Sequence, residues 1–143
     1  MKLKIKKLNT AARDPIYATT GAGCFDLSSI APFDVLIGPG ESYTFDTGLV
    51  FEVPPCKAMM IYSRSGHGFN SGVRLCNTTG VIDSDYRGEV KVRLTNDSAV
   101  PFKVAPFSRI AQAMLIDAPQ VDFEFVEELS DTERGDGGFG STK

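Results

Sequence analysis

The feature that most constrains the fold is a series of short β-forming runs separated by turn-forming residues. Lys57–Tyr62 is a short apolar run, positions 89–94 alternate between charged and apolar residues, and 110–116 is apolar but too short for a full helix. Residues of high strand propensity fill 45–53, and large apolar residues alternate with acidic ones over 121–125. No segment keeps a 3.6-residue apolar period over three turns. The sequence therefore predicts an all-β domain of the sandwich, barrel or jelly-roll kind.

Length and charge limit the classes to which the chain can belong. Its 143 residues suffice for one domain, and a net charge of −3 argues against a nucleic-acid-binding surface. No apolar run approaches the roughly 20 residues that cross a bilayer, and none follows the basic N-terminus as in a secretory signal. We expect a cytoplasmic protein without membrane or nucleic-acid partners, or one in the host cytoplasm or nucleus if the source is viral. Lysines alternating with Leu3 and Ile5 predict an edge strand.

The cysteines and the histidine form no recognisable site in the sequence. Cys24, Cys56 and Cys76 are far apart and no CxxC pair occurs, so the pattern favours free, buried thiols over a zinc site. His67 is the single histidine and lies between glycines in a predicted loop. Since the GxSxG elbow is missing as well, the sequence does not favour a Ser–His–Asp hydrolase.

The densest polar cluster lies at positions 80–89, where an apolar strand runs into Asp83. A polar turn follows and an alternating strand returns, which predicts a hairpin with Asp83 near its end. Asp83 is either a turn former or a general base whose direction the hairpin fixes. Tyr86 offers a flat face and a hydroxyl that suit a sugar ring, although such a tyrosine usually belongs to a core.

Two further segments hold candidate binding groups. Positions 63–68 combine hydroxyls, glycines and Arg64 in a predicted turn, where backbone N–H groups and the guanidinium can bind an anion. Asp26 lies between two large apolar residues, and a buried aspartate needs partners. It is either a structural group bonded to the backbone, which we favour, or part of a metal–water network.

The segment after Glu128 differs in composition from the rest of the chain. Positions 130–143 hold four glycines and a single large apolar residue, Phe139. Such a segment cannot bury enough surface to offset its ordering entropy. The segment is either a dispensable tail or an arm in which Arg134 contacts phosphate and Phe139 stacks on a base. We predict a folded domain over 1–128 and a mobile arm over 129–143.

Five short motifs occur in order along almost the whole chain. They are AGCFDL at 22–27, RSG at 64–66, GVRLCN at 72–77 continuing through GVIDSDYRG at 80–88, RIAQ at 109–112, and RGDGGFGST at 134–142. Each motif alone is weak, but five in order at suitable spacing resemble the trimeric dUTP pyrophosphatases. This resemblance implies a distorted jelly-roll barrel and a homotrimer in which each active site is shared among subunits. It also implies hydrolysis of dUTP to dUMP and pyrophosphate, which limits uracil in DNA and supplies dUMP for dTMP synthesis.

The resemblance also implies roles for individual residues. Asp83 corresponds to the base that activates water for attack on the α-phosphorus, and Tyr86 to the residue that stacks on deoxyribose and leaves no room for a 2′-hydroxyl. Mg²⁺ is the implied cofactor, arriving with the triphosphate, and Asp26 would help to order its waters. The other residues implied to bind substrate are Arg64, Ser65, Gly66 and Gln112 at the phosphates, Asn77 and Gly80 around uracil, and Arg134, Phe139, Gly140 and Ser141 in the arm.

Three other classes remain as alternatives. The dCTP deaminases are similar in fold, but their pattern has glutamate where Asp83 stands and lacks the fifth motif. A signalling protein that acts through a partner is not excluded by the sequence, although the full motif set favours catalysis. A structural jelly-roll protein such as a coat subunit would have no reason to carry all five motifs.

Overall fold

The computed structural model describes residues 1–140, and regular structure in this range is almost entirely β. The elements in chain order are β1 (Lys4–Lys7), β2 (Phe25–Ser28), β3 (Val35–Ile37), β4 (Ser42–Asp46), β5 (Leu49–Glu52), β6 (Lys57–Tyr62), α1 (Ser65–Ser71), β7 (Val73–Leu75), β8 (Thr79–Ile82), β9 (Lys91–Asn96), β10 (Phe102–Val104) and β11 (Arg109–Asp117). The all-β class predicted from the sequence is confirmed, and the run at 57–62 forms a strand with the predicted bounds.

The strands pair as antiparallel sheets in the orders β1-β5, β10-β3, β2-β11-β6-β8 and β4-β9-β7. Among residues 1–140, β1 pairs only with β5, which confirms the lysine-rich edge strand. The four-stranded sheet matters most for function, because β6 lies at its centre beside both β11 and β8. Residues at the two ends of β6 are therefore placed on one rigid element.

A single apolar core fills the space between the sheets. Its largest fully buried side chains include Phe45, Phe51, Leu27, Met59 and Ile110, which come from five different strands. Burying side chains of this size stabilises a fold by about 1.5–3 kcal/mol each relative to exposure. The core thus ties the strands that carry the candidate site residues to one another.

The β-forming run at 45–53 is split into two strands by a turn at Thr47 and Gly48. The buried Thr47 hydroxyl donates to the Val90 carbonyl at 2.6 Å, and Gly48 has a φ of 68°. A side chain at Gly48 would also meet the Ala12 methyl group at 2.9 Å. Strand propensity alone does not reveal this turn, because its cause is a close approach of chain segments distant in sequence.

The strand predicted at 121–125 is wrong. Residues 118–126 contain no strand, and Val121, Phe123 and Phe125 are exposed. An alternating pattern forms a strand only where a neighbouring strand supplies hydrogen bonds, and among residues 1–140 none pairs with this segment. The regular structure of the described chain ends with β11 at Asp117.

Candidate active site

A buried carboxylate with two arginines organises one side of the four-stranded sheet. Asp26 on β2 is only 8% exposed, and it accepts a hydrogen bond from Arg64 Nε at 3.1 Å and one from Arg109 Nη1 at 2.9 Å. Both carboxylate oxygens are thus paired, which offsets the cost of burying the charge. One carboxylate against two guanidiniums leaves the cluster net positive, as suits a phosphate ligand. The backbone-bonded structural role favoured for Asp26 is replaced by this ion pairing.

Sequence reasoning missed Arg109 as a site residue. In a regular strand Arg109 and Gln112 would lie on opposite faces, since three positions separate them. The register of β11 against β2 shifts between Arg109 and Ala111, which places two residues of β11 opposite one of β2. Such a bulge turns Arg109 to the face that carries Asp26. A clue in the sequence was the unpaired charge of Asp26 itself, which required a cationic partner.

The segment at 63–68 was predicted to form a turn, but helix α1 begins within it at Ser65. Arg64 has extended backbone (φ −77°, ψ 135°), and the helix runs from Ser65 to Ser71 and is capped by Gly72, whose φ is 64°. The helix was not predicted because seven residues rich in small and polar types show no apolar period. Ser65 and Gly66 occupy the first turn, where backbone N–H groups have no acceptor within the helix.

Gln112 and Ser63 fix the junction between β6 and α1. Gln112 pairs with Asp26 on one side and with Tyr62 on the other. Its amide donates to the Ser63 carbonyl at 3.1 Å, while the Ser63 hydroxyl accepts from the Leu75 N–H at 2.8 Å. The junction that presents Arg64 and Ser65 is therefore bound to both β11 and β7.

Asn77 lies in a tight turn between β7 and β8. The Thr78 N–H donates to the Leu75 carbonyl at 3.1 Å, the Thr79 N–H donates to the Asn77 carbonyl at 2.6 Å, and Thr78 has a φ of 59°. A Cβ on Gly80 would lie 3.2 Å from Ile61 and 3.8 Å from the Asn77 amide nitrogen. Gly80 thus keeps the backbone open beside the Asn77 side chain.

The hairpin predicted around Asp83 is wrong. Strand β8 pairs with β6, and the returning strand β9 pairs with β4 and β7, so the two strands flanking Asp83 belong to different sheets. The pairing with β6 was hidden because it joins segments about 20 residues apart. Asp83 is exposed and follows β8 directly, where it lines an open groove of about 670 Å³ with residues that include Cys56, Lys57 and Ser84.

Tyr86 folds back over the chain that follows it. Its hydroxyl donates to the Glu89 carbonyl at 3.0 Å, and its ring lies against Gly88, where a Cβ would stand 2.3 Å from the tyrosine oxygen. The ring is 43% exposed, so it is not a core side chain. The exposed part of the tyrosine remains available for a ligand.

His67 is held next to the arginine cluster. Its Nε2 lies 3.4 Å from Arg64 Nη1, and its ring packs edge-on against Phe102 with centroids 5.2 Å apart. Burial lowers the pKa of His67, the positive charges of Arg64 and Arg109 lower it further, and Asp26 acts in the opposite direction. Since a guanidinium only donates, Nε2 accepts in this contact and the ring is neutral. A catalytic triad would require a contact between this histidine and a serine hydroxyl, whereas Nε2 of His67 contacts an arginine.

The described part of the arm makes contacts within itself. Arg134 Nε donates to the Gly137 carbonyl at 2.6 Å, and the Gly137 N–H donates to the Arg134 carbonyl at 3.1 Å. Phe139 is fully exposed, and Gly140 has a φ of 91°. Ser141 lies outside the described residues. The structure therefore does not bring Arg134 or Phe139 to the other candidate residues.

The candidate residues form two groups at opposite ends of β6. Tyr62 pairs with Thr79 and Met59 with Ile82, so Asp83 lies beside Ala58 while Arg64 lies beyond the other end. Six residues of extended chain separate Ala58 from Arg64, which corresponds to about 20 Å. We call the groups the arginine end, with Asp26, Arg64, Arg109 and Gln112, and the aspartate end, with Asp83 and Tyr86.

The thiols and possible metal ligands can be placed as well. Cys24, Cys56 and Cys76 are free, as predicted, but Cys56 and Cys76 are exposed, so the prediction of buried thiols is wrong for these two. Cys56 directly precedes β6 and Cys76 directly follows β7, so each lies in a turn at a strand end. Within residues 1–140 no group of three or more His, Cys, Asp and Glu side chains could hold a metal ion. In the same range no helix has the length and apolarity needed to cross a membrane.

Comparison of the sequence with known proteins gives a consistent result. The model of the dUTPase family matches residues 10–143. A deoxyuridine 5′-triphosphate nucleotidohydrolase of Nautilia profundicola is 53% identical over 142 residues, covering 99% of both chains. A protein of the same name from Neisseria meningitidis serogroup A is 42% identical over 145 residues, covering 99% of this chain and 97% of its own.

Comparison with solved structures supports the fold. The dUTPase of Staphylococcus bacteriophage 80alpha with dUpNHpp superposes with a TM-score of 0.90 at 24% identity, covering 99% of this chain and 98% of its own. A dUTPase variant from phage phi11 of S. aureus, described as coordinating a structural Mg(II) ion, has a TM-score of 0.80 at 19% identity over 90% of this chain and 98% of its own. The jelly-roll architecture predicted from the sequence is confirmed by these likenesses.

Proposed function

The chain belongs to the dUTPase family, and from this premise we propose that it hydrolyses dUTP to dUMP and pyrophosphate. In a cell this reaction limits uracil incorporation into DNA and supplies dUMP for dTMP synthesis. The observation that carries the proposal is the bond between the Ser63 hydroxyl and the Leu75 N–H. It holds the arginine end, suited to phosphate, next to the Asn77 turn, whose amide can recognise a base edge.

Arg64, Ser65 and Gly66 bind the phosphates in this proposal. Asp26 holds Arg64 through Nε at 3.1 Å, which leaves the Nη2 edge of the guanidinium to fork onto phosphate oxygens. The Ser65 hydroxyl and the N–H groups of the first helical turn add uncharged donors. Gln112 uses one amide hydrogen on the Ser63 carbonyl and keeps a second for the ligand.

Asp83 is the general base in this proposal. Its exposed carboxylate takes a proton from a water molecule while the water oxygen bonds to the α-phosphorus. The bond from the α-phosphorus to the bridging oxygen breaks, and pyrophosphate leaves with that oxygen. A positioned general base contributes about 10²–10⁴-fold to such a step. Tyr86 stacks on the deoxyribose ring, and Asn77 with the backbone at Gly80 contacts uracil.

Magnesium fits this site as an ion carried by the nucleotide. The described residues offer no cluster of three ligands, and both oxygens of Asp26 are bonded to arginines. An ion that binds the triphosphate and keeps several waters needs no such cluster, and it would neutralise phosphate charge during attack. Asp26 can order a water of that shell through its remaining lone pairs.

The distance between the two ends of β6 favours a site shared between copies of the chain. Asp83 must reach the α-phosphorus while Arg64 contacts the same triphosphate, yet about 20 Å of extended strand separates them within one chain. A triphosphate is much shorter than this span. We therefore infer that the aspartate end of one copy faces the arginine end of another, in a closed homotrimer. The arm, with Arg134, Phe139, Gly140 and Ser141, closes over the nucleotide in the assembled site.

One assay tests the proposed activity directly. Purified protein is incubated with each of the four canonical dNTPs and with dUTP, in the presence of Mg²⁺, and pyrophosphate, nucleoside monophosphate and ammonia are measured. We expect dUMP and pyrophosphate from dUTP, with little product from dCTP or dTTP, because unpaired polar groups in a base-edge pocket can reject an analogue by about 10⁴–10⁵-fold. Ammonia from dCTP would indicate a deaminase, and comparable rates with dCTP and dUTP would contradict the proposed base recognition.

A further inference from the structure

Gly88 and the backbone of Glu89 determine where the Tyr86 ring lies. The phenol edge of Tyr86 occupies the space that any side chain at position 88 would need, since a Cβ there would stand 2.3 Å from Oη, 2.5 Å from Cζ and 2.9 Å from Cε2. The Tyr86 hydroxyl donates to the Glu89 carbonyl at 3.0 Å. Glycine at position 88 is therefore a condition for this ring position.

The acceptor of this hydrogen bond is itself tied to the barrel. The Glu89 carboxylate accepts from the Gly48 N–H at 2.7 Å, and the adjacent Val90 N–H donates to the Leu49 carbonyl at 2.9 Å. The Val90 carbonyl accepts from the buried Thr47 hydroxyl at 2.6 Å. The Tyr86 ring is thus connected through Glu89 to the turn between β4 and β5, which packs against the core.

The loop before the tyrosine is braced as well. Arg87 Nη1 donates to the Ser84 carbonyl at 2.7 Å and to the Tyr86 carbonyl at 3.0 Å, while the Tyr86 N–H donates to the Asp83 carbonyl at 3.3 Å. Tyr86, whose ring is partly exposed, lies in the same short loop as Asp83. A displacement of the ring would therefore change the space at the sugar next to the attacked phosphorus.

We propose that Gly88 is a positioning residue that sets the discrimination between dUTP and UTP by holding the Tyr86 ring against its own backbone. The inference rests on the proposed function, in which Tyr86 covers the sugar. A 2′-hydroxyl is one oxygen larger than a hydrogen, so its exclusion depends on a ring fixed to within a fraction of an ångström. Packing on Gly88 and the bond to the Glu89 carbonyl supply that fixation.

The test is the ratio of kcat/KM for dUTP to that for UTP. In Gly88→Ala the new methyl group must displace the far end of the tyrosine, which moves readily, so the protein folds and the ring leaves its place. We expect the ratio to fall about 10-fold or more, because a displacement near 1 Å of a positioning group has effects of this order. Gly21→Ala is the matched control, since a Cβ there meets nothing within 4 Å.

A double-variant cycle separates positioning from general damage. Tyr86→Ala should lower the ratio strongly, and Gly88→Ala added to it should lower the ratio no further, because the ring through which Gly88 acts is gone. Tyr86→Phe removes the bond to the Glu89 carbonyl but keeps the ring, and it should lower the ratio to an intermediate value. This variant decides the matter if Gly88→Ala does not fold.

The outcomes distinguish this inference from the proposed function. Wild-type protein that releases no pyrophosphate from dUTP contradicts the proposed function. Wild-type protein that prefers dUTP, together with Gly88→Ala or Tyr86→Phe variants that keep the wild-type ratio, overturns the role of Gly88 alone. Equal losses with dUTP and UTP, or additive effects in the double variant, would overturn it too, since both indicate a structural role.

Discussion

The two ends of β6 carry the two halves of the proposed site, and they are built differently. At the arginine end, a carboxylate that is 8% exposed is bonded to two guanidiniums, and side chains lock the neighbouring turns. At the aspartate end, Asp83 is exposed beside an open groove. In our proposal, one chain completes its phosphate-binding groups by itself, whereas Asp83, the proposed catalytic carboxylate, needs a second copy to meet the substrate.

The largest expected effect concerns the aspartate end. Asp83→Asn keeps the shape of the side chain but removes its basicity, so turnover should fall by at least about 10²-fold with little change in dUTP affinity. Stopped-flow or steady-state turnover and equilibrium binding of a non-hydrolysable analogue measure the two effects. Asp85→Asn in the same loop is the matched control and should retain turnover. Near-normal turnover in Asp83→Asn would remove Asp83 from the mechanism.

Deletion of the arm tests whether turnover requires residues outside the arginine end and the aspartate end. Deletion from Arg134 onward should leave a folded, stable trimer, because the described arm residues are almost all exposed. Turnover should fall by about 10²-fold or more, since the proposed closure would align the triphosphate and exclude water. The thermal midpoint and the rate are measured on the same sample. Hydrolysis at the full-length rate would show that the segment is a dispensable tail.

Mobility of the arm is a separate prediction. Residues 132–140 should be disordered without ligand and ordered with a non-hydrolysable dUTP analogue, because fixing this glycine-rich segment costs roughly 1–2 kcal/mol per residue. The proposed stacking of Phe139 on uracil would contribute about 1–3 kcal/mol and so offset part of this cost only when nucleotide is present. NMR order parameters with and without the analogue test it. Equal order in both states would contradict closure on the ligand.

At the arginine end, the expected effect is first on stability. Asp26→Asn leaves Arg64 and Arg109 without their counter-charge, and the free energy of unfolding should fall by about 2–3 kcal/mol, less than for a fully buried pair because both guanidiniums reach solvent. Asp97→Asn is the control: it breaks the exposed pair with Arg74 and should cost at most about 1 kcal/mol. Urea unfolding measures both variants. Equal losses would mean that Asp26 is not the organising charge.

How much was predictable differs between these regions for physical reasons. Local patterns sufficed to predict β6, and the five motifs identified most of the candidate residues from the sequence alone. The charge of a buried Asp26 required a partner, but the sequence did not identify Arg109 as that partner, because the pairing depends on a bulge between segments 83 residues apart. The strand expected at 121–125 failed because no partner strand lies within the described chain. Individual strands can be predicted from the local pattern of apolar residues. The register between strands and the assembly of copies depend on segments that are distant in sequence or belong to another chain.

The smallest expected effect is a pH dependence at the arginine end. The folded protein holds the pKa of His67 below its ordinary value of 6.5, so the unfolded chain binds more protons once the pH falls below that value. Stability should therefore decrease as the pH drops from about 7 to 5. His67→Gln keeps an acceptor for Arg64 but does not titrate, so its loss over this range should be smaller. Identical pH profiles of the unfolding free energy in the wild-type protein and in His67→Gln would contradict a neutral His67 in the folded protein.

The central claim, that Asp83 and Arg64 of one site come from different copies, is tested most directly by complementation. Asp83→Asn and Arg64→Gln chains carrying different tags are co-expressed, and mixed oligomers are isolated through both tags. Each variant alone should be inactive, while the mixed trimers should recover about a third of wild-type turnover, since a closed ring of three holding both chain types has one intact site. Mixed oligomers without recovered turnover, or a chain that remains monomeric and active at micromolar concentration, would contradict the claim.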